Sequence, residues 1–237
     1  MLMRCVIWTI LGFLSGSVLY SYNLPKHIRG VDVTARSADG NPGVSNVFKY
    51  AGVGLGIVCL LLDIGKGAVP VYLASRRVDM YSPVAAAVAI APVAGHAAAL
   101  FYPSVRGGKA ISVTFGVLIG LLPMTPLGLI LAAIYIFFSV FVRINPHERR
   151  TVVTFLLFGT VCAAAVILGL PLSFALTGCG ISAIVIFRNF EGARFGERDI
   201  SPSDGAENES YAAETAPTAA HSMSMSDGED DGERMRL

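Results

Sequence analysis

Long apolar stretches alternate with short polar loops along most of this chain. A transmembrane helix needs about 20 apolar residues to cross roughly 30 Å of hydrocarbon. Seven stretches approach that length, which predicts an all-α polytopic membrane protein with about seven transmembrane helices. The predicted spans are residues 3–22, 50–74, 83–103, 110–122, 126–142, 151–169 and 171–187.

Prolines mark several of the predicted breaks. The stretch 110–142 is too long for one span, and Pro123 and Pro126 interrupt helical hydrogen bonding within it. We therefore expect two spans there, with a single broken helix as the alternative because the first half is short. Pro171 predicts a tight hairpin between the last two spans. The first apolar stretch lacks a small-residue cleavage site followed by a soluble domain, so we expect a span rather than a signal peptide.

Charge is scarce and unevenly distributed. Hydrophobic residues make up 54% of the chain and charged residues 15%, whereas a soluble domain carries about 25% charged residues. Residues 197–237 hold eleven Asp or Glu and three Arg, whereas the remainder holds fifteen Lys or Arg and six Asp or Glu. The acidic segment has few aliphatic residues with which to build a core, which predicts disorder. We expect a membrane domain over 1–196 and a disordered cytoplasmic tail over 197–237.

The loop charges predict the orientation. Cytoplasmic loops of membrane proteins carry an excess of Lys and Arg. With seven spans and the N-terminus outside, only Arg4, Arg76 and Arg77 remain on the outside. The inside then holds Lys26, Arg29, Arg36, Lys49, Arg106, Lys109, Arg143, Arg149, Arg150, Arg188 and Arg194. All the glycine-rich polar loops fall on this cytoplasmic face, which predicts a binding or active surface there.

The polar loop "ADGNPGVSN" precedes the second span. Gly40 and Gly43 permit positive φ, so successive backbone N–H groups can turn inward as an anion-binding nest. Ser45 and Asn46 are placed to cap the following helix, whose N-terminus favours a phosphate. Lys49 follows within one turn. The alternative interpretation is a reverse turn with an ordinary helix cap.

A second polar loop, "SVRGGK", opens the fourth span. It is not a P-loop, because Pro103 stands five residues before Gly108, at the position where that motif requires glycine. Gly107, Gly108 and Lys109 nevertheless predict a similar arrangement of exposed N–H groups, a helix N-terminus and a cation. The alternative is a lysine that merely flanks a span on the cytoplasmic side.

Three ionisable residues fall within predicted spans. Asp63 and Lys66 lie on one face of a helix at i, i+3 spacing, and ionisable groups at such depth usually pair. A structural ion pair is the main interpretation, with substrate contact as the alternative. His96 is either a hydrogen-bonded interior histidine or a group for proton transfer or phosphate contact.

The four cysteines, Cys5, Cys59, Cys162 and Cys179, all lie in apolar segments. They show no CxxC spacing, and Cys is among the residues most often buried as a small hydrophobe. We therefore expect buried thiols, and neither a metal site nor a cofactor.

Three motifs occur in a recognisable order: "DGNPGVSNVFKYAG", "DIGKGAVP" and "GHAAALFYPSVRGGKAISVTFG". Over roughly residues 5–195 the chain resembles the bacterial acyl-phosphate:glycerol-3-phosphate acyltransferase family of the PlsY type. The resemblance implies a multi-pass protein of the bacterial plasma membrane with its active site facing the cytoplasm. It implies transfer of an acyl chain from acyl phosphate to the sn-1 hydroxyl of glycerol 3-phosphate, giving lysophosphatidic acid and phosphate. Its partners would be these substrates and membrane lipid, with no nucleic acid, and the chain would act as a monomer.

The resemblance also assigns roles to residues. Ser45 stands where the family usually has Thr, and Lys49 stands where Arg is common. The candidate catalytic residues are Asn41, Ser45, Lys109, His96 and Asp39, of which Asp39 departs from the family pattern. The implied phosphate-binding residues are Gly40, Gly43, Asn46, Lys49, Gly107, Gly108 and Lys109. Asp63 and Lys66 are implied supporting residues, and Arg188 and Asn189 are added to them as supporting candidates outside the family pattern.

Three segments depart from the family pattern. Asp39 lies where the family's Gly-Ser-Gly-Asn motif has Ser, and a carboxylate beside a phosphate repels it unless it points away, is protonated or acts as a base. The segment "RINPHERR" replaces a Ser-containing loop. Asn189 stands where the family has His and Gly192 where it has Asn, so Arg188, Asn189 and Arg194 are weaker candidates.

Two other functions remain open from the sequence. One is a divergent acyltransferase with another acceptor or donor. The other is a membrane transporter or a non-catalytic scaffold. A transporter needs polar residues accessible from both faces of the membrane, whereas the polar loops of this chain gather on one face. The sequence therefore favours the acyltransferase.

Overall fold

A computed structural model describes residues 1–142 and 144–196, with side chains up to Phe190. The regular structure in these ranges is helical, without strands. The helices are α1 Leu2–Ser17, α2 Tyr20–Arg29, α3 Val33–Arg36, α4 Val44–Tyr50, α5 Val53–Ser75, α6 Ala86–Ala98, α7 Ile111–Gly120, α8 Leu127–Val140, α9 His147–Ala164 and α10 Leu172–Gly196, and the short 3-10 helix Pro83–Ala85 precedes α6. The tail predicted to be disordered, 197–237, lies outside the described residues.

Each predicted span corresponds to a helical segment, which confirms an all-α membrane protein. Three segments are long and apolar enough to cross a membrane by themselves, Leu2–Arg29, Val53–Ser75 and Leu172–Phe190. Shorter apolar helices lie at 83–98, 111–120 and 127–140. The number of spans and their orientation stay predictions.

The boundaries of the first and last spans differ from those predicted. The span placed at 3–22 is broken, since α1 ends at Ser17 and α2 begins at Tyr20 and continues to Arg29. The break frees the carbonyl oxygen of Val18, which accepts a hydrogen bond of 2.6 Å from Lys66 Nζ. The helix placed at 171–187 continues to Gly196. Hydropathy follows the lipid boundary, whereas a helix can continue beyond it, so the pattern placed the ends of both helical segments too early.

The prolines do separate helices. Helix α7 ends at Gly120 and α8 begins after Pro126, so the stretch 110–142 forms two helices rather than one broken helix. Likewise, α9 ends at Ala164 and α10 begins after Pro171. These last two helices pack along each other, with Cys179 Sγ 3.5 Å from the carbonyl oxygen of Gly159. The hairpin predicted at Pro171 is therefore confirmed.

Glycines let two helix pairs approach to backbone contact. A Cβ on Gly95 of α6 would lie 2.0 Å from the carbonyl oxygen of Phe13 on α1. A Cβ on Gly116 of α7 would lie 2.1 Å from the carbonyl oxygen of Ile64 on α5. Small residues commonly permit such close packing between membrane helices. These contacts fix both ends of the loop that joins α6 to α7, which carries part of the candidate site.

The apolar core lies between the helices, and its largest fully buried side chains include Phe155, Phe158 and Phe174. Three of the cysteines are buried and the fourth is half-buried, all as free thiols. The prediction that the cysteines act as small interior hydrophobes is thus confirmed.

Candidate active site

The two glycine-rich loops meet at one end of the helical bundle. Lys109 Nζ, in the loop between α6 and α7, lies 2.7 Å from Asp39 Oδ2, in the loop between α3 and α4. Their ion pair joins segments seventy residues apart in the chain. The prediction that both loops share a face is confirmed, whereas the identity of that face as cytoplasmic stays a prediction.

A small polar cavity lies where the loops meet. Its described lining residues are Asp39, Gly40, Asn41, Arg106, Gly107, Lys109 and Arg188. Three of these carry positive charge, and charge-assisted hydrogen bonds from such groups are the usual means of binding phosphate. The cavity volume is about 10 Å³, which accommodates about one water molecule. With the lining side chains in these positions, the cavity is smaller than a phosphate group.

The first loop is held by its own polar side chains. Gly40 has φ +57°, the left-handed conformation that the sequence predicted for a glycine here. The Asn41 backbone N–H donates to Asp39 Oδ1 over 3.2 Å. The Asn46 side chain donates to the carbonyl oxygen of Asn41 over 2.8 Å and to Asp39 Oδ1 over 3.3 Å. Such side-chain to backbone bonds fix a turn without regular structure.

The expected cap by Ser45 or Asn46 is wrong. Gly43 occupies the N-cap position of α4, and no side chain caps the helix there. Helix α4 is also separate from the long helix α5, because the chain turns at Gly52 with φ +93°. Gly43 packs closely on the first loop instead, since a Cβ there would lie 2.6 Å from Asn41 Nδ2.

Two of the implied site residues that do not line the cavity are exposed to solvent. Ser45 and Lys49 are exposed on α4. Lys49 Nζ lies 4.9 Å from the centre of the Tyr50 ring, a contact typical of an exposed cation. Sequence spacing placed these residues near the loop but did not reveal that the short helix directs them away. Their catalytic and binding roles stay predictions.

The second loop is packed rather than open. Gly107 and Gly108 are buried, contrary to the expectation of exposed N–H groups. A Cβ on Gly107 would lie 1.9 Å from the carbonyl oxygen of Ala97, and one on Gly108 would lie 2.1 Å from His96 Nε2. The absence of a side chain thus lets the loop press against the end of α6. Close packing, which a composition argument does not detect, is the physical requirement for glycine here.

Asp63 and Lys66 form the predicted ion pair. Lys66 Nζ lies 2.7 Å from Asp63 Oδ1, and both side chains are 2% exposed. Ser21 Oγ donates to Asp63 Oδ2 over 2.9 Å. Lys66 Nζ is also 2.8 Å from His96 Nδ1, which accepts because an ammonium group has only donors. The buried pair therefore links the break between α1 and α2 to the histidine on which Gly108 packs.

The two C-terminal candidates, Arg188 and Asn189, lie in different surroundings. Arg188 lines the cavity and donates a hydrogen bond to the carbonyl oxygen of Gly107. Asn189 is buried and donates to the carbonyl oxygen of Val185 in its own helix over 2.8 Å. Asn189 is not among the described lining residues. Gly192 and Arg194 lie within α10, and the side chain of Arg194 lies outside the described part of the structure.

Glu148 is a site residue that the sequence analysis missed. Its Oε1 lies 3.0 Å from Lys109 Nζ, on the first turn of α9. The two residues are 39 positions apart, so no local spacing connects them. The available signal was indirect: Glu148 lies in "RINPHERR", a segment that departs from the family pattern.

Both carboxylates beside Lys109 are favoured in their ionised forms. Burial raises the pKa of Asp39, but hydrogen bonding and the charge of Lys109, with the Asn41 and Asn46 donors, outweigh it and hold that pKa below its ordinary value. Burial likewise raises the pKa of Glu148, but hydrogen bonds from its own backbone N–H and from Lys109 outweigh this effect. The pKa of Glu148 therefore lies below its ordinary value. A protonated Asp39 is therefore not favoured, and its lowered pKa makes it a weak base.

An open apolar groove of about 450 Å³ lies between α6 and α10. Its described lining residues are Ala94, Ala97, Ala98, Ala183, Ile184, Phe187 and Arg188. Arg188 is shared by this groove and the polar cavity. The groove volume falls within the ~300–1,000 Å³ typical of small-molecule sites. An amphiphile with an anionic head and an apolar chain matches this pair of adjoining spaces.

Known proteins show the same sequence pattern. A family model described as glycerol-3-phosphate acyltransferase matches residues 6–193. The chain is 40% identical to the glycerol-3-phosphate acyltransferase of Myxococcus xanthus over 131 residues, 54% of this chain and 66% of the relative. It is 28% identical to that of Carboxydothermus hydrogenoformans over 184 residues, 78% of this chain and 88% of the relative. With the first few relatives, the match spans less than two thirds of the relative's length.

Two crystal structures share the fold. Both are of PlsY, described as an integral membrane glycerol 3-phosphate acyltransferase, in a glycerol 3-phosphate form with a TM-score of 0.66 and in a lysophosphatidic acid form with a TM-score of 0.64. Each is 23% identical to this chain and covers 80% of it and 90% of the PlsY chain. At this identity, the likeness shows a common fold.

Proposed function

Because this chain belongs to the glycerol-3-phosphate acyltransferase family, we propose that it transfers an acyl chain from acyl phosphate to glycerol 3-phosphate. The sn-1 hydroxyl oxygen forms an ester bond to the acyl carbon as the bond from that carbon to the phosphate oxygen breaks. The phosphate leaves with the bonding electrons, and with the hydroxyl proton it balances as hydrogen phosphate. The lipid product is lysophosphatidic acid, the first acylated intermediate of phospholipid synthesis.

The observation that carries this proposal is the convergence of Arg106, Lys109 and Arg188 on one cavity. An acyl phosphate is already an activated mixed anhydride, so the reaction needs no covalent nucleophile. It needs two anionic substrates held in attacking geometry and stabilisation of the charge on the departing phosphate. Cationic side chains fixed by ion pairs and packing supply both requirements without a metal or a cofactor.

The apolar groove supports the identity of the donor. In the proposed complex, the acyl chain lies between α6 and α10 and its phosphate lies beside Arg188, which borders both spaces. The open side of the groove lets a donor enter from the lipid. We further propose that the protein acts as a monomer in the bacterial plasma membrane, with this site facing the cytoplasm.

The direct test uses the purified full chain in lipid-containing micelles with palmitoyl phosphate and glycerol 3-phosphate. We expect lysophosphatidic acid and inorganic phosphate to form in equal amounts, by mass spectrometry and a phosphate assay. Omitting glycerol 3-phosphate measures donor hydrolysis, and replacing palmitoyl phosphate by palmitoyl-CoA tests the donor. Turnover with the CoA ester alone would overturn the acyl-phosphate assignment. Absence of lysophosphatidic acid with either donor would overturn the acyltransferase proposal.

Narrowing the groove is expected to change chain-length preference. In Ala183→Leu, added carbons fill part of the space proposed for the acyl chain, and we expect KM for palmitoyl phosphate to rise roughly tenfold. An octanoyl donor should be affected much less. The matched control is Ala133→Leu, which makes the same change at an exposed alanine on α8 away from the groove. Equal KM changes for both donors, or for both variants, would contradict the assignment of the groove.

A further inference from the structure

Lys109 is held between two carboxylates that reach it from different segments. Its Nζ lies 2.7 Å from Asp39 Oδ2 and 3.0 Å from Glu148 Oε1. The lysine is only 7% exposed, so neither ion pair is a loose surface contact. Asp39 and Glu148 both lie in segments where this chain departs from the family pattern. Two residues that differ from the family pattern therefore contact the same cation, Lys109.

The two carboxylates lie differently with respect to the cavity. Asp39 is part of the cavity lining, whereas Glu148 contacts Lys109 without lining the cavity. In a cavity that accommodates about one water molecule, Asp39 Oδ2 lies 2.7 Å from Lys109 Nζ and occupies a position that a phosphate oxygen would take. Repulsion between a phosphate and a carboxylate opposes binding of both at once. When a substrate phosphate binds Lys109, we therefore expect it to replace the Asp39 carboxylate.

The geometry points to different roles for these carboxylates: we propose that Glu148 is a positioning residue that keeps Lys109 in place, while Asp39 occupies the phosphate position until substrate displaces it. This inference rests on the proposed function, in which Lys109 binds a substrate phosphate. The ligand class is a phosphate monoester or an acyl phosphate, with inorganic phosphate as the product that binds the same position.

The surroundings of each carboxylate fit its role. Asp39 Oδ1 has donors of its own in the Asn41 backbone and the Asn46 side chain, so the loop remains held when Oδ2 releases Lys109. Glu148 lies in the first turn of α9, where the helix dipole stabilises a negative charge. His147 Nδ1 is 3.2 Å from Glu148 Oε1, and burial holds the pKa of His147 below its ordinary value.

The two roles predict opposite changes in phosphate affinity when one or the other carboxylate beside Lys109 is neutralised. Asp39→Asn removes the competing anion, and we expect inorganic phosphate to bind about tenfold more tightly. Glu148→Gln removes the group that positions Lys109, and we expect phosphate to bind about tenfold more weakly. Glu148→Asp should recover part of this loss because the charge is kept. The matched control Asp79→Asn removes an exposed carboxylate between α5 and the short 3-10 helix, and should leave affinity unchanged.

The experiment is a calorimetric titration of inorganic phosphate into the purified full chain and each variant, followed by steady-state kinetics with varied glycerol 3-phosphate. Opposite shifts for Asp39→Asn and Glu148→Gln, with partial recovery in Glu148→Asp, support the inference. Shifts in the same direction, or no shift in either variant, overturn it. If Glu148→Gln does not fold, the comparison of Asp39→Asn and Glu148→Asp with the native chain decides by the same signs. Phosphate binding requires no acyl transfer, so failure of this inference is distinguishable from failure of the proposed reaction.

Discussion

Replacing Lys109 by alanine is expected to lower kcat/KM for acyl transfer by about 10³-fold or more. Lys109 is the cation that joins the two loops, with carboxylates at 2.7 Å and 3.0 Å. The substitution removes a charge aimed at the cavity and leaves Asp39 and Glu148 without their shared partner. Lysophosphatidic acid formation from palmitoyl phosphate and glycerol 3-phosphate provides the measurement.

A matched control is Lys26→Ala. Lys26 pairs with Asp32 over 3.2 Å at an exposed position, so its loss removes a lysine and an ion pair outside the cavity. We expect the control to keep near-native activity. Lys109→Arg, which retains charge but changes geometry, should recover only part of the activity lost in Lys109→Ala. If Lys109→Ala kept more than about a tenth of native activity, well short of the loss expected for a key donor, the assignment of Lys109 would be wrong.

Asp63→Asn is expected to lower the free energy of unfolding by about 3–5 kcal/mol, the usual cost of leaving one partner of a buried ion pair uncompensated. Lys66 is 2% exposed in its side chain, and Asp63 is its paired carboxylate. The remaining contacts of Lys66, to the Val18 carbonyl oxygen and His96 Nδ1, provide no negative charge. Thermal unfolding in detergent, followed with a thiol-reactive dye on the buried free cysteines, measures the effect.

The double variant Asp63→Asn, Lys66→Met tests the cause. Removing both charges eliminates the uncompensated ammonium group, so the double variant should be more stable than Asp63→Asn alone. Because Lys66 also contacts His96, on which Gly108 packs, we expect the double variant to fold yet to lose part of its acyl transfer activity. If the loss of stability in the double variant equalled the sum of the losses in Asp63→Asn and in the single variant Lys66→Met, the two charges would not interact.

Features that depend on neighbouring residues could be predicted from the sequence. Apolar runs of sufficient length predicted the helical segments, since crossing hydrocarbon requires them. The spacing of Asp63 and Lys66 predicted their pairing, because residues three apart face the same side of a helix. Prolines at 123, 126 and 171 predicted where helices end. Each inference required only local geometry and the properties of the bilayer.

Features that depend on residues distant in the chain could not be predicted in this way. No spacing rule connects Glu148 with Lys109, or Lys66 with His96 and the carbonyl oxygen of Val18. The break between α1 and α2 also includes such a contact, because Lys66 Nζ donates to the carbonyl oxygen of Val18 there. Hydropathy averages over a window, so it does not resolve this break.

The amino-acid sequence by itself determined the all-α membrane class, the approximate helical segments and the loop motifs that make Asp39, Asn41 and Lys109 candidate site residues. Tertiary structure decided which candidates share the cavity: Lys109 and Arg188 line it, whereas Ser45 and Lys49 lie on the exposed face of α4. It also showed that Gly107 and Gly108 are required by packing against α6. The physical reason is that composition and spacing describe residues that are close in the chain. Distances between side chains and their burial depend on segments that come together only when the helices pack.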